Sequence, residues 1–387
     1  MSLRFLKNAP IKPGTRVLLR TDFDVVTDGK RITEDFRIRE AIPTINLILK
    51  KGGCVRMISH LKRPHGKRVK DLSMEVVARH LEKLLKRKVS FISDPVTFRD
   101  TGGPQEILFL ENIRFFPGEE KNDAGFARKL SHLGDIYVNE AFANSHRKHA
   151  SMVAITKFLP SFAGLRLAEE ILNLQKILKK PKMPFVAILG GAKLETKLPL
   201  IKRFLAQGGE VLVGGALANT LLAARGLELG SSPVDEKLKM GLKSVAFNPR
   251  LYLPLDLRIA KSDRSSSRIA DVHKIKKGET NFDIGPETCK RFVRILKTAK
   301  TVVWNGPMGV AESRKFSSGT VLVAKVLKEI NAFKVVGGGD TIAILKKYGA
   351  LEDFDHVSTG GGAMLEFLAG KKLPALEALE RNRGLRD

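Results

Sequence analysis

The sequence predicts an α/β protein in which helices cover largely parallel sheets. Short apolar runs typical of buried strands alternate with longer amphipathic stretches, and this pattern occurs in two successive blocks separated by one helical stretch. Parallel strands need crossover connections, which are usually helices, so the alternation favours parallel sheets. A chain of 387 residues is long enough for two domains with separate cores.

The first block contains five candidate strands, which lie at 16–20, 55–58, 89–92, 107–110 and 136–139. Apolar residues at helical spacing lie between them, at 37–50, 73–86 and 124–132. The second block has candidate strands at 185–189, 211–213, 301–304, 334–336 and 356–358. Ligands of such sheets bind where the strands end, so the segments that follow each strand are the candidate sites.

Residues 165–179 form the stretch between the two blocks. Their apolar positions 165, 168, 171, 172 and 178 recur at helical spacing, and Pro181 and Pro184, which end helices, come next. The pattern predicts a helix that links two domains. A helix internal to one domain is the alternative.

The composition is that of a globular protein with a large excess of basic residues. The chain has 68 Lys and Arg against 41 Asp and Glu, which gives a net charge of +27. Such a charge permits binding to nucleic acid or another polyanion. The basic residues do not gather in one tail or stripe, which favours a solvated surface. There is no apolar run of membrane-spanning length and no signal-peptide pattern at the N-terminus, so we expect a cytoplasmic protein.

Two triple-glycine turns near the C-terminus predict a polyphosphate site. The turns at 337–339 and 360–362 each follow an apolar run and precede a helix-like stretch. Such turns aim backbone N–H groups at an anion, and glycine allows its close approach. Asp340 follows the first turn directly, where a carboxylate would suit Mg²⁺ beside phosphates. The alternative is that Asp340 caps the next helix.

Basic side chains follow several other strands. Arg63, Arg114 and Arg147 come after strands of the first block, and their guanidinium groups would form a phosphate clamp if they converge. A surface salt bridge is the alternative for any one of them. Lys193 and Lys197 follow the first strand of the second block, four residues apart, which would place both ammonium groups on one helix face. The string is not a P-loop.

These motifs together resemble the phosphoglycerate kinase family from end to end. The matching strings, in order, are Arg20-Thr21-Asp22-Phe23-Asp24, Ser59-His60-Leu61-Lys62-Arg63-Pro64, Glu111-Asn112-Ile113-Arg114-Phe115, His146-Arg147-Lys148-His149-Ala150-Ser151, Gly190-Gly191-Ala192-Lys193, Trp304-Asn305-Gly306-Pro307-Met308-Gly309, and the segments 337–341 and 357–363. The resemblance implies two Rossmann-like three-layer domains with mainly parallel sheets. It implies a phosphoglycerate-binding domain at 1–164, an interdomain hinge helix at 165–180, a nucleotide-binding domain at 181–370 and a segment at 371–387 that returns to the N-terminal domain.

The resemblance also implies an activity and a set of site residues. The activity is reversible phosphoryl transfer between 1,3-bisphosphoglycerate and MgADP, giving 3-phosphoglycerate and MgATP, by a monomer that binds no membrane and binds nucleic acid at most non-specifically. The residues that match substrate contacts are Asp22, Asp24, Arg37, His60, Arg63, Arg114 and Arg147. Those that match nucleotide contacts are Lys193, Lys197, Gly214, Phe282, Asn305, Glu312, Gly337, Gly338, Gly339, Asp340 and Thr341, with Asp340 also matching the Mg²⁺ ligand. The groups that match contacts to the moving phosphoryl are Arg37, Lys193, Gly339 and Gly362.

Five positions depart from the pattern that the resemblance implies. Asp24 stands where the family usually has asparagine, and its charge would repel a substrate carboxylate unless Arg37 or a lysine compensates it. Lys62, in a position usually held by glycine, is a candidate for that role. Asn219, Asn281 and Ala311 lie around the expected adenine pocket and leave the base identity open. A protein of the same fold that binds polyanions, with weak or no kinase activity, is the rival hypothesis.

Overall fold

The computed structural model describes residues 3–28, 31–95, 98, 106–261, 264 and 266–382. Contacts within the chain form two compact units, 1–172 together with 372–387, and 173–371. The boundary at 172 lies within the helical stretch 165–179. The assignment of 165–180 as a hinge stays a prediction. Residues 383–387 of the predicted returning segment lie outside the described residues.

The first unit is built on a six-stranded parallel sheet. Its strands in chain order are β1 Arg16–Arg20, β2 Val26–Thr27, β3 Ile32–Glu34, β4 Cys54–Ile58, β5 Ser90–Ile92, β6 Ile107–Leu110, β7 Ile136–Asn139 and β8 Ser161–Ala163. The order across the sheet is β5-β6-β4-β1-β7-β8, and β2 pairs with β3 as a separate antiparallel ribbon. Strand β1 is therefore central, with Val17 in register with Val55 on one side and Ile136 on the other.

Helices cover this sheet because its strands are apolar on both faces. The helices of this part of the chain are α1 Phe36–Lys50, α2 Glu75–Leu85, α3 Pro117–Glu120 and α4 Ala124–Ser131, followed by α5 Leu165–Lys179, which contains the boundary between the units. Every residue of β4 and β6 is buried, as expected for strands between two helical layers. Helix α1 packs Ile38, Ile45 and Ile48 into the core on one side. The predicted α/β class with mainly parallel sheets is confirmed.

The second unit repeats this architecture and adds a small antiparallel sheet. Its strands are β9 Phe185–Leu189, β10 Glu210–Val213, β11 Leu251–Tyr252, β12 Asp256–Ala260, β13 Ser267–Asp271, β14 Thr280–Ile284, β15 Thr301–Asn305, β16 Phe333–Gly337 and β17 His356–Ser358. The main sheet is parallel in the order β11-β10-β9-β15-β16-β17. Trp304 is fully buried in the core that this sheet forms with its helices.

The helices of the second unit are α6 Leu194–Ala206, α7 Gly215–Ala224, α8 Glu236–Lys239, α9 Lys243–Ala246, α10 Pro286–Leu296, α11 Ser318–Glu329, α12 Gly339–Lys347 and α13 Gly362–Leu368. Helix α14, Pro374–Arg381, belongs to the first unit. The backbone N–H of Ala375 donates to the Ser145 carbonyl at 3.1 Å. Asn382 accepts from the backbone N–H of Ser161 at 2.6 Å, which fixes the end of this segment.

All strands predicted in the two blocks are present, with ends that shift by at most one residue. The sequence patterns did not predict the antiparallel sheet β13-β12-β14. Its edge strand β13 exposes three of its five residues and carries charges, so it lacks the apolar run that marks a buried strand. None of the described helices combines the length and apolar character needed to cross a bilayer.

Candidate active site

The carboxyl ends of four neighbouring strands meet at one edge of the first sheet. Strands β6, β4, β1 and β7 are adjacent and parallel, so the segments that follow them lie side by side. Arg114 follows β6, His60 follows β4, Asp22 follows β1 and Asn144 follows β7. The residues predicted from separate strings thus come together because the strands share one direction.

Asp22 and Arg37 form an ion pair between the end of β1 and the first turn of α1. The second carboxylate oxygen of Asp22 accepts from Nδ2 of Asn144 at 3.2 Å. Asp22 is nearly buried, whereas the Arg37 side chain keeps 31 % of its surface exposed. The carboxylate therefore orients a guanidinium that still presents N–H groups to a ligand.

Arg114 is buried and held from two sides. Its Nη1 donates to the Lys62 carbonyl at 2.7 Å, and its Nη2 lies 3.5 Å from Oδ1 of Asn144. Burial and the nearby charge of Arg20 lower the pKa of Arg114 to about 10, so it stays cationic at neutral pH. The carboxylate of Glu120 lies 3.9 Å from Nε of Arg114, too far for a hydrogen bond. A buried cation without a close carboxylate suits an anionic ligand.

His60 is buried and neutral. Burial and the positive charges of Arg20 and Arg114 hold its pKa well below the usual range. Nη2 of Arg20 lies 3.2 Å from Nδ1 of His60, and a guanidinium can only donate, so Nδ1 accepts and the ring proton is on Nε2. His60 can therefore donate one hydrogen bond to a phosphate or carboxylate oxygen.

Arg63 is exposed and Arg147 half-buried. Within the described part of the chain, neither guanidinium has a protein hydrogen bond or ion pair within reach. The salt-bridge alternative thus finds no partner among these residues. Two residues of this edge, Arg20 and Asn144, have no role assigned from the sequence; Arg20 ends β1 and Asn144 lies in the segment that follows β7, and these positions were the available signal.

In the second unit, the glycine turns follow adjacent parallel strands. Gly338 follows β16 with φ 101°, and Gly361 follows β17 with φ 49°, in the region that disfavours side chains. A Cβ at Gly338 would lie 2.9 Å from Nδ2 of Asn305, so the space also requires glycine. Gly338 and Gly361 are the N-caps of α12 and α13, with no side-chain cap hydrogen bond. The predicted helix starts are present, and the alternative that Asp340 caps α12 is wrong.

Lys197 lies between the segments that follow β9 and β15. Its Nζ donates to the Gly190 carbonyl, and the Asn305 carbonyl is 3.5 Å away. Burial lowers the pKa of Lys197 to about 8, which the Asp340 carboxylate partly opposes. Lys193 is the N-cap of α6 and is exposed, whereas Lys197 is buried within the helix. The expectation that both ammonium groups lie on one helix face stays a prediction. The chain bends at Lys193 instead of continuing the helix toward β9.

Two hydrogen bonds join the turns after β15 and β16. Nδ2 of Asn305 donates to the Gly337 carbonyl at 2.8 Å, and the N–H of Gly306 donates to the Thr341 hydroxyl at 2.8 Å. Thr341 is fully buried. Asp340, Gly339 and Gly362 are exposed at the helix starts, where a polyphosphate could approach.

The residues of the expected base pocket lie around β14 and α7. Phe282 stacks on Phe316 with ring centroids 4.8 Å apart. Asn219 is buried and accepts from Nδ2 of Asn281 at 2.9 Å. Gly214 is the N-cap of α7, while Glu312 is exposed. A cavity of about 670 Å³ lined by Lys193, Thr220 and the segment 233–237 lies beside α7.

Asp340 is the carboxylate best placed for a cation at these turns. The described residues contain no group of three His, Cys, Asp or Glu side chains that could hold a metal by themselves. A hard oxygen ligand that is exposed beside backbone N–H groups fits Mg²⁺ that arrives with a polyphosphate.

A guanidinium-rich strand edge in one unit and glycine turns at helix starts in the other define a phosphate-handling α/β protein of the kinase class. The family model described as phosphoglycerate kinase matches residues 8–371. The chain belongs to the phosphoglycerate kinase family, which confirms the resemblance.

Curated relatives and solved structures agree with this assignment. The chain is 43% identical to the phosphoglycerate kinase of Moorella thermoacetica over 376 residues, which is 94% of this chain and 96% of that protein. It is 43% identical to the phosphoglycerate kinase of Desulfosudis oleivorans over 384 residues, which is 96% of this chain and 97% of that protein. The phosphoglycerate kinase structure from Coxiella burnetii superposes with a TM-score of 0.89 at 35% identity, covering 98% of this chain and 99% of that one. The phosphoglycerate kinase structure from Pyrococcus horikoshii OT3 superposes with a TM-score of 0.84 at 32% identity, and it also covers 98% of this chain and 99% of that one.

Proposed function

We propose that this protein is an active phosphoglycerate kinase that transfers a phosphoryl group reversibly between the carboxyl group of 3-phosphoglycerate and ADP. The single observation that carries the proposal is the pair of oriented guanidinium groups at the first sheet edge. Arg37 is held by the Asp22 carboxylate, and no other carboxylate among the described residues lies within 3.5 Å of its guanidinium. Arg114 is held by the Lys62 carbonyl, and no carboxylate among these residues lies within 3.5 Å of it.

The first unit would bind the phosphoglycerate. Arg63, Arg114 and Arg147 supply guanidinium forks for its phosphate group, and His60 supplies a neutral donor. Asp22 orients Arg37 and can accept from the substrate hydroxyl. Asp24 lies at the same edge, where its charge is opposed by Lys62 at 3.5 Å.

The second unit would bind the nucleotide. The backbone N–H groups of Gly338 and Gly339 at the start of α12 and the ammonium groups of Lys193 and Lys197 suit a polyphosphate. Asp340 would hold Mg²⁺, which supplies charge neutralisation to the phosphate oxygens. The stacked Phe282 and the amides of Asn219 and Asn281 would face the base, and Glu312 the ribose.

Transfer itself needs alignment and stabilised oxygens more than covalent help. Arg37, Lys193 and the N–H groups of Gly339 and Gly362 would contact the moving phosphoryl. The nucleophile in the direction of ATP use is a carboxylate, which is already ionised at neutral pH, so no strong general base is required. The two ligands must be brought in line, for which the helix 165–180 would act as the hinge.

We place this reaction in the cytoplasm and assign it to a monomer, with nucleic acid bound only non-specifically through the charge of +27. ADP formation from ATP tests the function. The rate should require both 3-phosphoglycerate and Mg²⁺, and glycerate or acetate in place of 3-phosphoglycerate should give no turnover. Turnover with another carboxylic acid but not with 3-phosphoglycerate would contradict the proposed acceptor.

A polyanion-binding protein without kinase activity makes a different prediction. It would bind a random-sequence oligonucleotide with an affinity that falls steeply with salt, and it would leave ATP intact. A kinase whose activity is undiminished by the oligonucleotide at physiological salt would contradict that rival.

A further inference from the structure

Lys62 has an unusual backbone conformation at the first sheet edge. Its φ is 53°, in the left-handed region that L-residues with a Cβ enter at a cost in free energy. It lies four residues beyond β4, between the segments that follow β1 and β6. A lysine persists in such a conformation when its surroundings fix the backbone.

Asp24 supplies that fixation. Its Oδ1 accepts the backbone N–H of Lys62 at 3.0 Å and lies 3.5 Å from Nζ of the same residue. The ammonium group also donates to the Val25 carbonyl at 3.1 Å. One carboxylate oxygen therefore contacts both the backbone and the charged end of Lys62, unlike an ordinary surface ion pair, which joins side chains alone.

The carbonyl of Lys62, which belongs to the next peptide group along the chain, faces Arg114. The Lys62 carbonyl accepts from Nη1 of Arg114 at 2.7 Å, the shortest hydrogen bond that this guanidinium makes among the described residues. The orientation of Arg114 thus depends on the backbone conformation of Lys62, whose N–H is held by Asp24. The Asp24 charge also reaches Arg114: burial and Arg20 lower the pKa of Arg114, and Asp24 is among the groups that oppose them.

We propose that Asp24 and Lys62 form a positioning pair: Asp24 fixes the left-handed turn that aims Arg114 at the substrate, and Lys62 cancels the Asp24 charge at the binding edge. The inference rests on the proposed function for the identity of the substrate. Neither residue needs to touch the reacting atoms.

The pair predicts a specific pattern in steady-state kinetics. Asp24→Ala removes the acceptor and should raise KM for 3-phosphoglycerate about tenfold, with kcat and KM for ATP changed less than about twofold. Lys62→Gly keeps both peptide groups and relaxes the turn but leaves the Asp24 charge uncompensated. It should raise the same KM about fivefold, and more at low salt.

The double variant Asp24→Asn/Lys62→Gly separates this role from a merely structural one. It removes both charges and keeps an acceptor for the peptide N–H, so KM for 3-phosphoglycerate should return to within about twofold of the wild-type value. Lys67→Ala, which removes an exposed lysine of the same loop, is the matched control and should leave KM unchanged. Melting temperatures would verify that each variant is folded.

Two results would contradict the proposal that Asp24 and Lys62 position Arg114. One is an Asp24→Ala protein with wild-type KM, and the other is a double variant whose KM for 3-phosphoglycerate is no lower than that of Lys62→Gly. If the wild-type protein does not turn over 3-phosphoglycerate, the proposed function fails. The dissociation constant for inorganic phosphate, measured by calorimetry on the same variants, then tests the positioning role of Asp24 and Lys62. It should rise in the single variants and return toward the wild-type value in the double variant.

Discussion

The hydroxyl of Thr341 accepts a hydrogen bond at 2.8 Å from the backbone N–H of Gly306, and so joins the turns that follow two adjacent strands. Thr341 is fully buried, so this contact holds the turns in place without exposure to solvent. The N–H groups at Gly338 and Gly339 that would receive a polyphosphate belong to one of these turns.

We expect Thr341→Val to weaken nucleotide binding. Valine has the same shape but leaves the Gly306 N–H without a buried partner, which should shift the turn. KM for ATP should rise about tenfold, while KM for 3-phosphoglycerate stays constant. Thr298→Val, which alters an exposed hydroxyl bonded only to the Ile295 carbonyl, is the matched control. An unchanged KM for ATP would show that the turns hold their positions without this bond.

Arg37→Ala should abolish most of the catalytic rate. The ion pair with Asp22 aims a partly exposed guanidinium at the edge where the phosphoryl would be transferred. Loss of one such donor typically costs about 10²- to 10³-fold in kcat. Arg39→Ala, two positions along the same helix and paired with Asp35, should keep wild-type kcat. Full turnover by the Arg37 variant would remove Arg37 from the phosphoryl contacts.

Lys197 should give the reaction a pH dependence on its basic side. The pKa of Lys197 is lowered to about 8 by burial, so the free enzyme loses this positive charge as the pH rises through that value. We expect kcat/KM for ATP to fall about tenfold per pH unit above it. For Lys197→Met, kcat/KM for ATP should be low and independent of pH over the same range. For Lys202→Met, at an exposed position of the same helix, it should follow the wild-type pH profile.

Glu140 should make the folded state less stable as the pH rises. It is buried at the end of β7, where its carboxyl accepts the N–H groups of Arg166 and Leu167 at 3.0 and 3.3 Å. Burial raises the pKa of Glu140 from 4.5 to about 7. The folded state therefore holds a proton that the unfolded state releases, and stability present below the unfolded pKa is lost as pH rises toward the folded pKa.

Glu140→Gln removes this ionisation. The free energy of unfolding of the variant relative to wild type should increase by roughly 3 kcal/mol between about pH 4.5 and about pH 8. Urea unfolding followed by circular dichroism measures the difference. Glu228→Gln, at an exposed position, should show no such change. A pH-independent difference for the Glu140 variant would indicate that the carboxyl has the same pKa in the folded and unfolded states.

Asp340→Asn should raise the Mg²⁺ requirement. The carboxylate is exposed in the first turn of α12, beside the turn proposed for the polyphosphate. Loss of its charge should increase the Mg²⁺ concentration for half-maximal rate about tenfold, with part of the rate restored at high Mg²⁺. Glu352→Gln, exposed near the next strand, is the control. An unchanged Mg²⁺ titration would show that the ion is held without Asp340.

The local sequence patterns predicted ten of the twelve strands that build the two main sheets and missed the short edge strands β8 and β11. Strands such as β4 and β6 are apolar along their whole length, and their burial between two helical layers follows from that composition alone. Strands β12 to β14 were not predicted; of these, β13 lacks an apolar run because most of its residues are exposed and it carries charges.

The sequence by itself determined which residues follow the strands: the arginines and His60 in the first unit, and the glycine turns with Asp340 in the second. Only the tertiary structure decided which of them meet. Asp24 and Lys62 are 38 positions apart, and Lys197 and Asn305 are 108 apart. Such contacts depend on the order and register of parallel strands, which no local pattern encodes. The tertiary structure also leaves Lys193 exposed and buries Lys197, although the two lysines are only four residues apart.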